Sequence, residues 1–336
     1  MRVTKLHEAY DVALLDLDGV VYIGGVAIPG APEALQRAKG AGMRLAYVTN
    51  NASRTPSAVA ALLSGMHVPA APEDVVTSAQ AAARLLAEKL PPKANVLVIG
   101  ALALRLAVRE RGLNPVSTAA DNPQAVVQGY GPGIQYDVLA EGGLAVRNGA
   151  LYVGTNADST LPGRHGMQPG NGSLLQVITH ATGVRPVIAG KPEPPLHRES
   201  VIRTAARHPL VVGDRLDTDI EAAFRAECDS LLVLTGVSRP ADAVTAAANQ
   251  RPTYIAENLG GLLEPYPEVA RDDDGYACGG WRASRDAGGR LAVDGTGAAI
   301  DGLRALCAAA WAAQEPPSAD QAEAALAALR KAGLTA

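Results

Sequence analysis

The sequence predicts an α/β protein: a Rossmann-like, doubly wound parallel sheet with an inserted α/β domain and a small C-terminal α+β extension. Three observations predict it. Short aliphatic runs alternate with helical patterns along most of the chain, which is how βα units read. Clusters of Asp, Thr, Asn and Lys fall directly after several of those runs, where open parallel sheets bind their ligands. From Arg251 onward the character changes, and glycine-rich and charged breaks separate shorter segments.

The first run, DVALLDLDG, reads as a strand that ends on Asp16 and Asp18. APEALQRAKGAGM reads as a helix closing near Gly40 and Gly42, and RLAYVTNN as the next strand. TPSAVAALLSGM is a helix with Thr55 as N-cap and Pro56 as its first residue. DVVTSAQAAARLLAEKL is a short strand followed by a helix. After PPK a second series begins: ANVLVIG, LRLAVRERGL, QAVVQGY, YDVLAEGGLAVRNG, LYVGTN and the helical NGSLLQVITHATG. The chain then returns through VIAGKPEPP, a helix, PLVVGD, TDIEAAFRAE and SLLVLTG. In the tail, RDDDG is a turn-like break, YACGGWRASRDAGGRLAVDGTG a hairpin, and two helical segments close the chain. The expected division is a core in two parts, 1–79 and 186–264, an inserted domain at 80–185, and an extension of hairpin plus helices at 265–336. No fixed-period repeat is present.

Composition narrows the function classes. With 336 residues, 48% of them hydrophobic, the chain can bury a sizeable core. Thirty basic against 34 acidic side chains give a net charge of −4, so neither a nucleic-acid footprint nor a membrane-binding stripe is expected. The three cysteines have no C-x-x-C spacing, which argues for a reducing compartment and against a zinc site. MRVTKLHEAYD lacks the apolar stretch of a signal peptide, and no run reaches membrane-spanning length. A cytoplasmic protein is expected, with a homodimer allowed.

Asp16 and Asp18 share a strand face about 7 Å apart, where like charges repel. That arrangement calls for a cation. Three further clusters follow other runs: Thr49-Asn50-Asn51, Gly190-Lys191-Pro192, and Gly213-Asp214 through Asp219. Together they suit phosphoryl transfer. Hard carboxylate oxygens select Mg²⁺, a carboxylate can attack phosphorus, and Lys191 and Thr49 supply charge and a donor for phosphoryl oxygens. The six histidines show no metal-ligand spacing.

DLDGV, TNNAS, GKP and GDRLDTDI, in that order over residues 10 to 262, resemble the four motifs of the haloacid dehalogenase superfamily, and specifically its type IIA phosphatases. The resemblance implies a Mg²⁺-dependent phosphomonoester hydrolase. Asp16 is then the nucleophile and a metal ligand. Asp18 binds metal through its carbonyl and shuttles a proton to the leaving alcohol. Thr49, Asn50, Asn51 and Lys191 hold the phosphoryl group, Asp214 completes the metal site, and Asp219 stands behind it in preference to Asp217. The inserted domain is the family's cap, and its size favours small phosphorylated metabolites. Glycerol 3-phosphate is the expected substrate, with phosphoglycolate and nucleotide monophosphates as alternatives.

In the cap, GTNADSTLPGRHGMQPGNG is the loop expected to meet substrate, through Asn156 and Asp158, with Arg164 and His165 as weaker candidates. Rival readings are a receiver-type signalling domain, a phosphomutase, and a non-catalytic module that binds a phosphometabolite. The inserted domain and the second acid at Asp18 argue against the first, and the four intact motifs against the last.

Overall fold

The computed structural model describes residues 5–163 and 166–334. It divides into two compact units, Met1–Leu45 with Arg207–Ala336, and Ala46–Ala206. No helix among the described residues is long and apolar enough to cross a membrane.

In the first unit, Val12–Leu15, Pro209–Gly213, Asp229–Val233 and Tyr254–Ala256 form neighbouring parallel strands. Their residues are almost entirely buried aliphatics, as expected of parallel strands covered on both faces. Register pairs Leu15 with Val212, so adjacent strands finish side by side, one running into Asp16 and the other into Asp214. The Asp16 N–H continues that ladder by donating to the Val212 carbonyl at 2.8 Å.

The extension is more than a hairpin with helices. Ala270–Asp272, Gly275–Cys278, Trp281–Arg285 and Leu291–Gly295 make a four-stranded antiparallel sheet. The helices Ala299–Trp311 and Ala319–Lys331 follow it. Two strands are additional: the first arm of the expected hairpin is split at Gly279-Gly280 into two, and Ala270–Asp272 lies where RDDDG reads as a break. All three residues of Ala270–Asp272 are exposed, so no inside–outside alternation marks that strand. The extension shares one apolar cluster with the parallel core: Leu216, Ile220, Leu232 and Ile255 are joined to Trp281, Leu303, Leu306 and Leu329. Arg304 fixes the join, donating to the Ile255 carbonyl at 2.9 and 2.7 Å and lying 4.1 Å from the Tyr266 ring centre.

In the second unit, Arg44–Thr49, most of which belongs to it, pairs in parallel with Val75–Thr77. A separate five-stranded parallel sheet runs in the order Val187–Ile188, Leu151–Gly154, Ala125–Gln128, Asn95–Ile99, Asn114–Val116. Helices Tyr136–Arg147 and Asn171–Thr182 pack against it over Leu97, Val126, Val146, Leu175 and Ile178. The glycine-rich stretch read as a loop contains an antiparallel hairpin, Thr160–Gly163 with Gly166–Pro169. Arg164 and His165, the weaker substrate candidates, lie outside the described residues.

Candidate active site

Asp16, Asp214 and Asp219 come together in the first unit, each with a carboxylate oxygen within 4.8 Å of the others'. Three carboxylates at that spacing form an all-oxygen donor set, which fits a hard divalent cation such as Mg²⁺. Asp214 is fully buried, and its Oδ2 accepts the Val237 N–H at 2.7 Å. Two glycines enclose that carboxylate. A Cβ at Gly236 would lie 2.0 Å from Asp214 Oδ2, and one at Gly19 2.3 Å from it. Gly19 also turns the chain at φ +89, a backbone region that disfavours side chains. Its carbonyl is held by the Thr235 hydroxyl at 2.6 Å.

Asp219 sits in a wide helical turn, Leu216–Ile220, that leads into the helix Glu221–Arg225. It is 1% exposed, and its Oδ2 accepts the Arg215 N–H at 3.2 Å, which aims the carboxylate back toward the strand end. The sequence places it behind the metal ligands; the structure sets its carboxylate in the cluster with them. Asp217 is exposed and bound to Arg215 at 3.0 and 2.8 Å. That guanidinium holds its carboxyl below the usual range. The Asp18 side chain is not part of the cluster. It reaches the surface, yet partial burial of the carboxyl raises its pKa, the direction a proton donor needs.

The remaining predicted residues lie in the second unit. Thr49 and Lys191 are nearly buried, at 8% and 7% exposure. Thr49 Oγ1 accepts the Asn51 N–H at 3.1 Å, and Asn51 Oδ1 accepts the Ser53 N–H at 2.7 Å, so the TNNAS turn is built by its own side chains. Lys191 Nζ donates to the Val48 carbonyl at 3.2 Å. The Asn50 side chain grips the Lys191 peptide and donates to the Asp158 carboxylate at 3.3 Å.

Asn156, expected to meet substrate, engages both ends of its side-chain amide within the protein. It is 5% exposed, its Nδ2 donates to the Asn50 carbonyl at 2.7 Å, and its Oδ1 accepts the Asp158 N–H at 3.2 Å. Two other polar residues escaped the sequence reading. Asn171, inside the quoted PGNG element, donates to the Asn156 carbonyl at 2.8 Å. Ser78 donates to the Asn50 carbonyl at 2.6 Å. Asn171 stands at the end of the glycine-rich stretch expected to meet substrate; Ser78 carries no signal beyond its place behind Thr77 at a helix start.

Residues 13–114 match the family described as haloacid dehalogenase-like hydrolase, and residues 188–262 a further HAD-hydrolase-like family. Residues 278–334 match a GCN5-related N-acetyltransferase like domain. The D-glycerol 3-phosphate phosphatase of Mycobacterium tuberculosis is 48% identical over 258 residues, 77% of this chain and 72% of that protein. The 5'-nucleotidase YutF of Bacillus subtilis is 39% identical over 76% of this chain and 97% of its own. Among solved structures, a glycerol phosphate phosphatase from Mycobacterium tuberculosis in complex with magnesium superposes with a TM-score of 0.88 and 42% identity, covering 98% of this chain and 99% of that one. NagD from E. coli gives a TM-score of 0.68 at 30% identity over 74% of this chain and 97% of its own. The chain therefore belongs to the haloacid dehalogenase-like hydrolases and, among them, to the type IIA phosphatases, hydrolases of phosphoric monoesters.

Proposed function

We propose that this protein is a Mg²⁺-dependent glycerol 3-phosphate phosphatase that works through an aspartyl-phosphate. The cluster of Asp16 and Asp214 at adjacent strand ends with Asp219 from the turn that follows is the observation that carries the reading. The substrate is supported by the 48% identity to a D-glycerol 3-phosphate phosphatase. Asp16, Asp214 and Asp219, with the Asp18 carbonyl, are the groups that would hold Mg²⁺. Bound there, the ion neutralises charge between the carboxylates and the phosphate oxygens.

The chain's own residues then divide the work. Asp16 attacks phosphorus and the ester oxygen leaves. Asp18, its pKa raised by burial, gives that oxygen its proton and later takes one from the water that opens the acyl phosphate. The Lys191 ammonium and the Thr49 hydroxyl hold the phosphoryl oxygens. Asp158 is the cap residue proposed to meet the polyol. The segment 80–185 acts as a lid that excludes water and large substrates.

A panel of small phosphomonoesters tests the substrate. kcat/KM is expected to be highest for glycerol 3-phosphate, by about tenfold or more over phosphoglycolate and nucleotide monophosphates. A nucleotide monophosphate at the head of the ranking would favour the 5'-nucleotidase reading that the Bacillus relative supports.

The glycine enclosure of Asp214 gives a second check. In Gly236→Ala the new methyl must displace the Asp214 carboxylate, because the ideal Cβ position lies 2.0 Å from Oδ2. The Mg²⁺ concentration for half-maximal activity should rise about 10- to 100-fold, the usual effect of disturbing a group that orients a metal ligand. An unchanged Mg²⁺ requirement would remove Asp214 from the metal site.

A further inference from the structure

We infer that Asn156 is a positioning residue for Lys191, acting through Asn50; this rests on the reading of Lys191 as the cation that holds the phosphoryl group. The Asn50 side chain lies along the Lys191 peptide. Its Oδ1 accepts the Lys191 N–H at 2.8 Å, and its Nδ2 donates to the Lys191 carbonyl at 3.2 Å. These two bonds straddle one Cα and fix where the lysine side chain begins.

Asn50 can do this only while its own backbone is held. Its carbonyl accepts from Asn156 Nδ2 at 2.7 Å and from the Ser78 hydroxyl at 2.6 Å. Asn156 is locked in turn. Its Oδ1 takes the Asp158 N–H, and its carbonyl takes Asn171 Nδ2. Asn171 is 1% exposed at the start of the helix Asn171–Thr182. The next residue, Gly172, lets the Ala157 carbonyl come so close that a Cβ there would sit 2.1 Å from it. The TNAD and PGNG elements are thus two halves of one hydrogen-bonded path that ends on Lys191.

A carboxamide is needed at Asn156 because one side chain must donate to a carbonyl and accept from an N–H. An aspartate would set a carboxylate against the Asn50 carbonyl, acceptor against acceptor. Unpaired polar atoms at this depth are costly, so the path holds a single geometry. Displacing the lysine by about 1 Å is enough to cost roughly 100-fold in rate.

The test measures kcat, KM and the inhibition constant of inorganic phosphate, with Mg²⁺ present, together with melting temperature. The variants are Asn156→Ala, Asn156→Asp, Lys191→Met, and Asn156→Ala combined with Lys191→Met. Tyr152→Phe, which removes a buried hydroxyl bonded to Gln128 at 2.7 Å, serves as the stability control. Both Asn156 variants should lower kcat/KM and weaken phosphate inhibition by about 10- to 100-fold. Tyr152→Phe should lower the melting temperature and move neither. In the Lys191→Met background, Asn156→Ala should add nothing, because what it positions is gone. Additive losses in the double variant, or unaltered phosphate inhibition in both Asn156 variants, overturn the inference. If Asn156→Ala fails to fold, Ser78→Ala takes away the other bond to the Asn50 carbonyl and should give a smaller loss of the same kind; no loss there overturns it as well. Full turnover by Lys191→Met sinks the reading of Lys191 itself, and that one variant tells this failure from the others.

Discussion

Asp16→Asn should fold normally and lose turnover by about 10⁴-fold or more, the scale on which removing a nucleophile acts. The carboxamide has nearly the same shape, and the Asp16 N–H keeps its ladder bond to Val212. What disappears is a nucleophile able to form the acyl phosphate. Single-turnover phosphate release with Mg²⁺ present measures the loss directly. Turnover close to wild type would exclude Asp16 as the attacking group. Asp18→Asn should behave differently. It removes a proton donor, so its cost should be large for an alkyl ester such as glycerol 3-phosphate. For an aryl ester, whose leaving group needs no proton, the cost to the first step, read as the burst of released phenol, should be much smaller, while opening of the acyl phosphate loses its base with either ester. The contrast separates the two acids by chemistry.

Those acids were legible because acidic residues at the end of an apolar strand demand a reason. Val12–Leu15 and Pro209–Gly213 are almost continuous buried aliphatic runs, and each leads into an aspartate. Thr55 was readable as an N-cap because its side chain acts within a few residues of itself, accepting the Ala58 N–H at 3.2 Å. Local signals of this kind survive in a sequence. The long-range ones do not. Asn156 and Asp158 stand in a glycine-rich stretch that reads as a loop open to ligand. Only the fold shows Asn156 spent on Asn50, 106 positions earlier. The wide turn Leu216–Ile220 likewise leaves no periodicity that distinguishes it from an ordinary helix start. Its effect is to bring Asp219 to the cluster and leave Asp217 in solvent with Arg215.

The largest effect on stability should come from a residue with no part in the chemistry. Glu199 is fully buried on the helix Pro194–Thr204. Its Oε1 accepts from Arg111 at 2.6 Å and from Arg203, one turn along, at 2.6 Å, while Oε2 binds Arg84. Arg84 lies on Ser78–Lys89, and Arg111 closes Leu102–Glu110, so one carboxylate ties three helices of the second unit. Glu199→Ala leaves three guanidinium groups facing one another over a vacated site. Breaking such a buried cluster by removing its central charge costs about 3–5 kcal/mol. The exposed pair of Glu88 and Arg198, at 3.0 Å, offers the comparison. Glu88→Ala should cost no more than about 1 kcal/mol, since water already screens that pair. Urea unfolding of the two variants measures the difference. A second signature belongs to the arginines. Added sulfate should raise the midpoint of Glu199→Ala more than that of the wild type, because an anion that enters the cluster only in the folded state stabilises it by mass action. A Glu199→Ala protein as stable as wild type, and indifferent to sulfate, would mean that the three arginines find solvent at no cost and that the carboxylate merely fills space.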